Sequence, residues 1–145
     1  MELKTLSVAG LLLKVAGIVA LFYSGSLFGA GPVTLAVQAA AVAVMIWARL
    51  TFGLRSFHAA ANPTAGGLVM TGPYRYLRHP IYAAILWFAA AGVAAHPSAA
   101  SAVCGLVIAA GAAIRIFAEE RLVVQRYPEY TDYASRTARV IPFLF

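Results

Sequence analysis

The sequence predicts an all-α fold: a polytopic membrane helical bundle of about four transmembrane helices, followed by a C-terminal cytoplasmic tail. Of its 145 residues, 62% are hydrophobic and only 11% are charged, which is far more apolar than a soluble domain. Four apolar stretches each approach the ~20 residues that a helix needs to cross a hydrocarbon core of ~30 Å. Helices are the only form in which such runs satisfy their backbone polar groups within lipid.

The apolar stretches follow one another along the chain as Leu6–Tyr23, Pro32–Phe52, Pro80–Ala95 and Ser98–Ala118. The first resembles a secretory signal in having Lys4 before it, but Lys14 interrupts its apolar run and no small-x-small cleavage site follows. We therefore interpret it as a membrane helix. The third is short, and the tight His96-Pro97 turn joins it to the fourth as an antiparallel hairpin.

The net charge of +6 is distributed as in a membrane protein rather than a nucleic-acid-binding one. Apart from Lys14, the basic residues form three groups: Lys4, Arg49 to Arg78, and Arg115 to Arg139. Four spans bring all three groups to one side of the membrane, and the positive-inside rule makes that side the cytoplasm. We expect an integral protein of the inner or plasma membrane with both termini cytoplasmic, in contact with anionic lipids and with no nucleic-acid partner.

A single domain is predicted to cover residues 1–145. Its parts are two N-terminal spans (1–52), a cytoplasmic connection (53–79), the helical hairpin (80–118) and the tail (119–145). Turn signals lie in the connection at Asn62-Pro63 and Gly66-Gly67. In the tail, Pro128 should end the fourth helix near Tyr127. A short interfacial helix within 129–138 and an apolar end, 141–145, docked on the bundle or the membrane interface, are expected to follow.

The sequence predicts no metal site. The single cysteine, Cys104, lies in the middle of the fourth apolar stretch and has no ligand-spaced partner, so we interpret it as a packing residue. His58, His79 and His96 are scattered along the chain, and His96 should face the side of the membrane opposite to the other two.

Residues 71–82 combine basic and aromatic side chains with the start of a hydrophobic helix. Pro80 suits the first helical turn, where its missing N–H is not needed, and its presence steers His79 to the N-cap position or beside it. Unpaired backbone N–H groups and the positive end of the helix dipole then converge with Arg75 and Arg78. Such a cluster is suited to hold an anion.

Two adjacent glutamates, Glu119 and Glu120, are predicted to lie opposite this cluster, because the His96-Pro97 turn makes the two hairpin ends neighbours. Ionisable residues at membrane depth usually face a bundle interior or a polar cavity. The alternative is that Arg115 or Arg121 pairs with them on a wet rim. Anion-binding groups on one wall and carboxylates on the other suit a ligand that carries both charges.

These residues, in this order and spacing, resemble a known family. The pattern comprises Arg78-His79-Pro80-x-Tyr82, then Glu119-Glu120 after one helical hairpin, then Tyr130-x-x-Tyr133 and Ile141-Pro142. It is similar to the isoprenylcysteine carboxyl methyltransferases and to the related phospholipid N-methyltransferases, over roughly residues 68–142.

The resemblance implies an integral membrane methyltransferase whose S-adenosylmethionine is bound by the last helical hairpin and completed by the C-terminal tail. It implies a cofactor site formed by Arg78, His79, Pro80, Tyr82, Glu119, Glu120, Tyr130 and Tyr133. In this interpretation one glutamate holds the ribose hydroxyls or the cationic groups of the cofactor, and the two tail tyrosines close the pocket.

The implied acceptor is lipid-like or prenylated, and its tail would enter sideways between helices from the bilayer. A carboxylate acceptor is already ionised and needs no general base, and Arg75 or Arg115 would hold it by a bidentate contact. An amine acceptor must lose a proton, so a glutamate such as Glu119, or His79, would be expected to act as base.

Two other functions fit parts of the pattern. The C-terminal region is similar to that of membrane sterol reductases, which usually show Arg-His-x-Asn-Tyr, whereas Ile81 occupies the Asn position here. A non-enzymatic lipid-binding protein that retains the fold is the second alternative.

Overall fold

A computed structural model describes residues 2–53 and 67–143 of the chain. The predicted turn at Asn62-Pro63 lies outside these residues, as does the first glycine of the Gly66-Gly67 pair. The described residues form five α-helices and one 3-10 turn: α1 (Leu3–Tyr23), α2 (Pro32–Phe52), the 3-10 turn (Gly72–Arg75), α3 (Pro80–Ala95), α4 (Ala99–Arg126) and α5 (Tyr130–Arg136).

The predicted all-α membrane fold is confirmed. Among the described residues, α1, α2 and α4 are long and apolar enough to cross a membrane. Helix α3 is apolar but has only 16 residues, as its short sequence stretch indicated. The number of spans is therefore at least three by this criterion, and a total of four stays a prediction.

Helices α1 and α4 pack antiparallel through a stripe of small residues. The buried positions of α1 are Ser7, Gly10, Lys14, Gly17 and Leu21, which alternate in steps of three and four and so share one face. A Cβ at Gly10 would lie 2.7 Å from the carbonyl oxygen of Gly111 on α4. Two helix backbones approach this closely only where neither residue carries a side chain.

A buried glutamine fixes the connection between α1 and α2 against α3. The Gln38 side chain donates hydrogen bonds to the carbonyl oxygens of Leu27 (2.8 Å) and Phe88 (3.1 Å), and it accepts one from the Gly29 amide (2.8 Å). Gly92 of α3 allows this approach, because a Cβ there would lie 2.3 Å from the Leu27 carbonyl oxygen. At this end of the bundle, the buried Gln38 amide group and its backbone partners thus satisfy one another's hydrogen bonds within the protein.

The predicted hairpin of α3 and α4 turns at His96-Pro97. Ser98 caps α4 by accepting a hydrogen bond from the Ser101 amide at 3.0 Å, and the Ser101 hydroxyl donates to the His96 carbonyl oxygen at 2.7 Å. These contacts satisfy backbone groups that a helix start leaves unpaired. The start of α3 and the end of α4 consequently lie side by side.

The tail folds back over this end of the bundle. Helix α4 ends at Arg126, ahead of Pro128 as predicted, and α5 buries Tyr130 and Tyr133. A parallel β-bridge joins Leu77 to Ala138, and Val140 enters the hydrophobic core beside them. Val140, just before the apolar end that was expected to dock, is buried, whereas Ile141 and Phe143 are 43% and 95% exposed. Residues 144–145 lie outside the described part of the chain, and docking of this end on the membrane interface stays a prediction.

Candidate functional site

The start of α3 is built as the sequence predicts. His79 is the N-cap residue and Pro80 occupies the first helical turn, where both side chains are buried. The His79 amide donates to the Arg139 carbonyl oxygen at 3.0 Å, so the tail satisfies a backbone group at this helix start. Cap, proline and tail together hold the imidazole against the C-terminal end of α4.

Glu120 is the centre of an outer cluster. Its Oε1 accepts a hydrogen bond from Arg78 Nε at 3.1 Å and from the Tyr130 hydroxyl at 3.3 Å, and it lies 3.2 Å from His79 Nε2. Its Oε2 accepts from Arg139 Nε at 3.3 Å. The anion that meets the predicted anion-binding cluster at the α3 start is therefore the Glu120 carboxylate.

Arg78 also holds the tail in place. Its Nη1 donates to the carbonyl oxygen of Ala134 at 2.7 Å and to that of Thr137, while its backbone amide donates to the Ala138 carbonyl oxygen at 2.7 Å. A planar guanidinium can bind a carboxylate and backbone carbonyls together because its donors point in several fixed directions. Arg78 thus links α3, α4 and the tail.

The two tail tyrosines lie side by side on the buried face of α5. Their ring centroids are 5.6 Å apart, and the Tyr133 hydroxyl donates to the Tyr74 carbonyl oxygen at 2.6 Å. Burial raises the pKa of Tyr133 to about 12. Burial, reinforced by the negative charge of Glu120, also raises the pKa of Tyr130. Both phenols are therefore neutral hydrogen-bond donors at physiological pH.

Glu119 is the centre of a second, inner cluster. Its Oε1 accepts a hydrogen bond from the Tyr82 hydroxyl at 2.6 Å and from Arg115 Nε at 3.0 Å. Arg115 Nε also lies 2.6 Å from the Tyr82 oxygen, to which it donates. Tyr82 and Arg115 lie about one turn deeper along α3 and α4 than His79 and Glu119. The inner cluster is thus nearer the apolar interior than the outer one.

The rim interpretation of the glutamates is correct in part. Arg115 does pair with Glu119 at 3.0 Å, but the Arg115 side chain is buried, and the Glu119 side chain is partly buried, with 23% of it exposed. Arg121 instead places its guanidinium carbon 4.6 Å from the centroid of the Phe117 ring. The two glutamates point into different clusters because neighbouring helix positions are rotated by about 100°.

Arg75 lies apart from both clusters. It is exposed in the 3-10 turn and makes no ion pair with a carboxylate of the described residues. Its assignment as a substrate-binding residue stays a prediction, and the other cation named with it, Arg115, is the one that lies beside Tyr82 and Glu119.

Lys14 is an ionisable residue beside the inner cluster that the sequence motifs do not include. It is 7% exposed on α1, and its Nζ lies 4.6 Å from the centroid of the Tyr82 ring. It is eleven residues into the helix, so about 16 Å along its axis. Inserting a lysine into the middle of a membrane-spanning helix costs about 2.5–3.5 kcal/mol, so a lysine at such a position indicates a functional site. The sequence position of Lys14 is of this kind.

Arg139 is the second such residue, and it contacts Glu120 from the tail. Arg139 belongs to no sequence motif. It reaches α4 because the β-bridge between Leu77 and Ala138 brings the preceding residue of the tail beside the start of α3. Arg78 and Arg139 therefore contact one carboxylate, whereas Arg115 contacts the other and Lys14 lies over the neighbouring Tyr82 ring.

An apolar groove of about 190 Å³ lies deeper in the bundle. Residues from α1, α2, α3 and the first loop line it: Ile18, Leu27, Ala41, Val42, Met45, Ala84, Ile85, Phe88 and Ala89. Ile18 is one turn beyond Lys14 on α1, and Ile85 is about one turn beyond Tyr82 on α3. The outer cluster, the inner cluster and the apolar groove thus follow one another along the bundle.

Among residues 2–53 and 67–143, no three His, Cys, Asp or Glu side chains are grouped as they would be around a metal ion. Glu119 and Glu120 are instead engaged by arginine, histidine and tyrosine. The expected absence of a metal stays a prediction for the whole protein.

Two curated proteins share similarity with part of the chain. One is the cobalt-zinc-cadmium resistance protein CzcN of Cupriavidus metallidurans, 35% identical over 78 residues, which are 53% of this chain and 36% of that protein. The other is the nickel-cobalt-cadmium resistance protein NccN of Alcaligenes xylosoxydans xylosoxydans, 33% identical over 78 residues, covering 53% of this chain and 37% of that protein. The matched part spans little more than a third of either relative. No solved structure matches the chain.

The phospholipid methyltransferase family matches residues 29–130, and these residues are more than half of the chain. The match begins between α1 and α2 and ends at Tyr130, so it contains α2, α3, α4 and both glutamates. The resemblance to membrane methyltransferases inferred from the motifs is therefore confirmed. The chain belongs to the phospholipid methyltransferase family.

Proposed function

We propose that this protein transfers a methyl group from S-adenosylmethionine to a lipid-like acceptor at the cytoplasmic face of the inner or plasma membrane, where both termini would lie. The acceptor group would be a carboxylate, as in an isoprenylcysteine. The observation that carries the proposal is the pair of adjacent clusters, one around Glu120 and one around Glu119, about one helical turn along α1 and α3 from an apolar groove.

The outer cluster suits the amino-acid end and ribose of S-adenosylmethionine. This cofactor carries a carboxylate, an ammonium group and ribose hydroxyls, so it needs cations and carboxylates together. Arg78 and Arg139 supply the cationic side, His79 adds an imidazole nitrogen, and Glu120 supplies an acceptor for hydroxyl or ammonium groups. Tyr130 and Tyr133 would cover the pocket with their aromatic rings, and their neutral hydroxyls donate hydrogen bonds.

When bound, S-adenosylmethionine supplies an electrophilic methyl group on a sulfonium. The chain's own contribution is to position the acceptor and to exclude water, and such positioning can supply a large part of a rate enhancement. Arg115 would hold an acceptor carboxylate, and the apolar groove would take the hydrocarbon chain. A carboxylate acceptor needs no base, which agrees with a Glu119 already engaged by Tyr82 and Arg115.

Phospholipid N-methylation is the second candidate, and the family match favours it. An amine acceptor has to lose a proton before it can attack, and Glu119 would then receive it. Glu119 is suited to this role only if Tyr82 or Arg115 yields its hydrogen bond to the acceptor. The names of the two relatives refer to metal resistance, and we carry no metal substrate over from them.

Binding and transfer assays on purified protein in detergent or nanodiscs test the proposal. We expect binding of S-adenosylmethionine, no comparable binding of NADPH, and transfer of a labelled methyl group to one class in a panel of prenylcysteine analogues, fatty acids and aminophospholipids. Tight NADPH binding without S-adenosylmethionine binding would instead favour a reductase. Binding of neither cofactor would favour a lipid-binding protein.

Glu120→Gln tests the outer cluster directly. It preserves the shape of the side chain and removes the charge that Arg78, His79 and Arg139 share, so affinity for S-adenosylmethionine should fall at least about tenfold. His79→Ala should weaken it in the same direction. Glu129→Gln is the matched control, since Glu129 is exposed and its side chain caps no helix. Equal affinities in all four proteins would remove the outer cluster from the cofactor site.

A further inference from the structure

The inner cluster has more positive than negative charge. Lys14 Nζ lies 4.6 Å from the centroid of the Tyr82 ring, and the Tyr82 hydroxyl is within hydrogen-bond distance of both Arg115 and Glu119, so two cations accompany one carboxylate. Glu119 already accepts hydrogen bonds from Arg115 and Tyr82. Lys14 contacts the face of the Tyr82 ring, and the hydrogen bonds described for Glu119 come from other side chains. An additional anionic group would balance this cluster.

Lys14 also belongs to a part of the chain outside the family match. The match begins at residue 29, whereas α1 ends at Tyr23, so Lys14 reaches the cluster from a helix that the match does not cover. Gly111 fixes its position, because a Cβ there would lie 2.6 Å from the Lys14 backbone nitrogen. The close packing of α1 against α4 therefore places the Lys14 ammonium group over the face of the Tyr82 ring.

We propose that Lys14, with Arg115, binds the anionic head group of the acceptor and so determines which lipids this protein accepts. The ligand chemistry is a carboxylate or phosphate oxygen attached to a hydrocarbon chain, with the chain extending past Ile18 and Ile85 into the apolar groove. The inference rests on the proposed function, since it names the acceptor class of the same site. It assigns selectivity to α1, and the cofactor contacts to α3, α4 and the tail.

Paired lipid probes that differ in the presence of one anionic group test this proposal. One pair is N-acetyl-S-farnesylcysteine and its methyl ester, and the other is lysophosphatidic acid and the monoacylglycerol with the same chain. Dissociation constants are measured in nanodiscs for the wild type, Lys14→Met, Lys14→Gln and Lys14→Arg. Lys4→Met is the matched control, because Lys4 is an exposed lysine on the same helix. Affinity for S-adenosylmethionine is measured on every protein.

The wild type should prefer the anionic member of one pair by at least about tenfold, and that pair identifies the carboxylate or the phosphate as ligand. Lys14→Met and Lys14→Gln should reduce the preference to about twofold or less, whereas Lys14→Arg and Lys4→Met retain it. The proposal is overturned by a wild type without preference, by an unchanged preference in both uncharged variants, or by loss of S-adenosylmethionine binding in both. A wild type that binds charged lipid selectively but no S-adenosylmethionine would contradict the proposed function and leave this assignment in place.

Discussion

Replacement of Gly111 by alanine tests the packing that positions the site. A Cβ at this position would lie 2.6 Å from the Gly10 carbonyl oxygen and 2.6 Å from the Lys14 backbone nitrogen. Ordinary contact begins at 3.4 Å, so the two helices would have to separate by about 0.8 Å. Both contacts are with backbone atoms, which cannot rotate away as a flexible side chain can. Gly111→Ala should therefore move α1 as a whole.

The size of the effect follows from two opposing terms. Overpacking a close contact costs about 1–3 kcal/mol, and the backbone contacts of Gly111 place it at the upper end. Alanine recovers up to about 1 kcal/mol in a helix interior, leaving a net loss of roughly 2 kcal/mol. For a chain of this size that corresponds to a fall in Tm of about 4–8 °C.

Gly105→Ala is the matched control on the same helix. A Cβ there would meet only a side-chain methyl group of Val93, at 3.2 Å, which can shift by a few tenths of an ångström. We expect its Tm to be unchanged or slightly higher. Thermal unfolding of both variants in the same detergent, followed by tryptophan fluorescence or a dye assay, measures the difference. Equal Tm values for the two variants would show that the Gly10–Gly111 contact does not limit the approach of α1 to α4.

Three further predictions concern the site and its orientation. Tyr82→Phe removes the hydroxyl that donates to Glu119 and accepts from Arg115, so methyl transfer should fall at least about tenfold, while the exposed Tyr76→Phe is unaffected; equal rates would exclude the hydroxyl from the reaction. The pKa of Tyr133 is about 12 in the folded protein against about 10 unfolded, so its contribution to stability is complete below pH 10 and is lost as pH rises toward 12. Tm measured across that range should fall less steeply in Tyr133→Phe than in the wild type, and identical slopes would contradict the assignment. A cysteine introduced at the exposed Ala30, in a Cys104→Ala background, should react with a membrane-impermeant thiol reagent only from outside the cell, and labelling from the cytoplasm would reverse the proposed orientation.

Much of the site was predictable because its elements are local in sequence. Pro80 after His79 specifies a helix start, and the His96-Pro97 turn specifies that the two helices on either side of it are antiparallel. From these two features alone, Glu119 and Glu120 are expected beside Arg78 and His79, and the structure places them within hydrogen-bond distance. Local rules suffice here because one tight turn fixes the relation of the two helices.

The partners of each glutamate were not predictable in the same way. Which carboxylate meets Tyr82 and which meets His79 depends on the rotation of α4 about its axis, and that rotation is set by packing against α1 through Gly10, Gly17 and Gly111. In a chain this apolar, hydrophobicity distinguishes one helix face from another only weakly. Small residues and close contacts decide the rotation instead.

The sequence by itself determined that the chain is a helical membrane protein, where its helices turn, and which family its motifs resemble. These properties follow from the length of the apolar stretches, from the positions of proline and glycine, and from the spacing of the motif residues along the chain. Only the tertiary structure decided that Lys14 and Arg139 join the site, since they reach it from α1 and from the tail across long sequence separations. Arg75, although only three residues before Arg78 in sequence, lies exposed in the 3-10 turn.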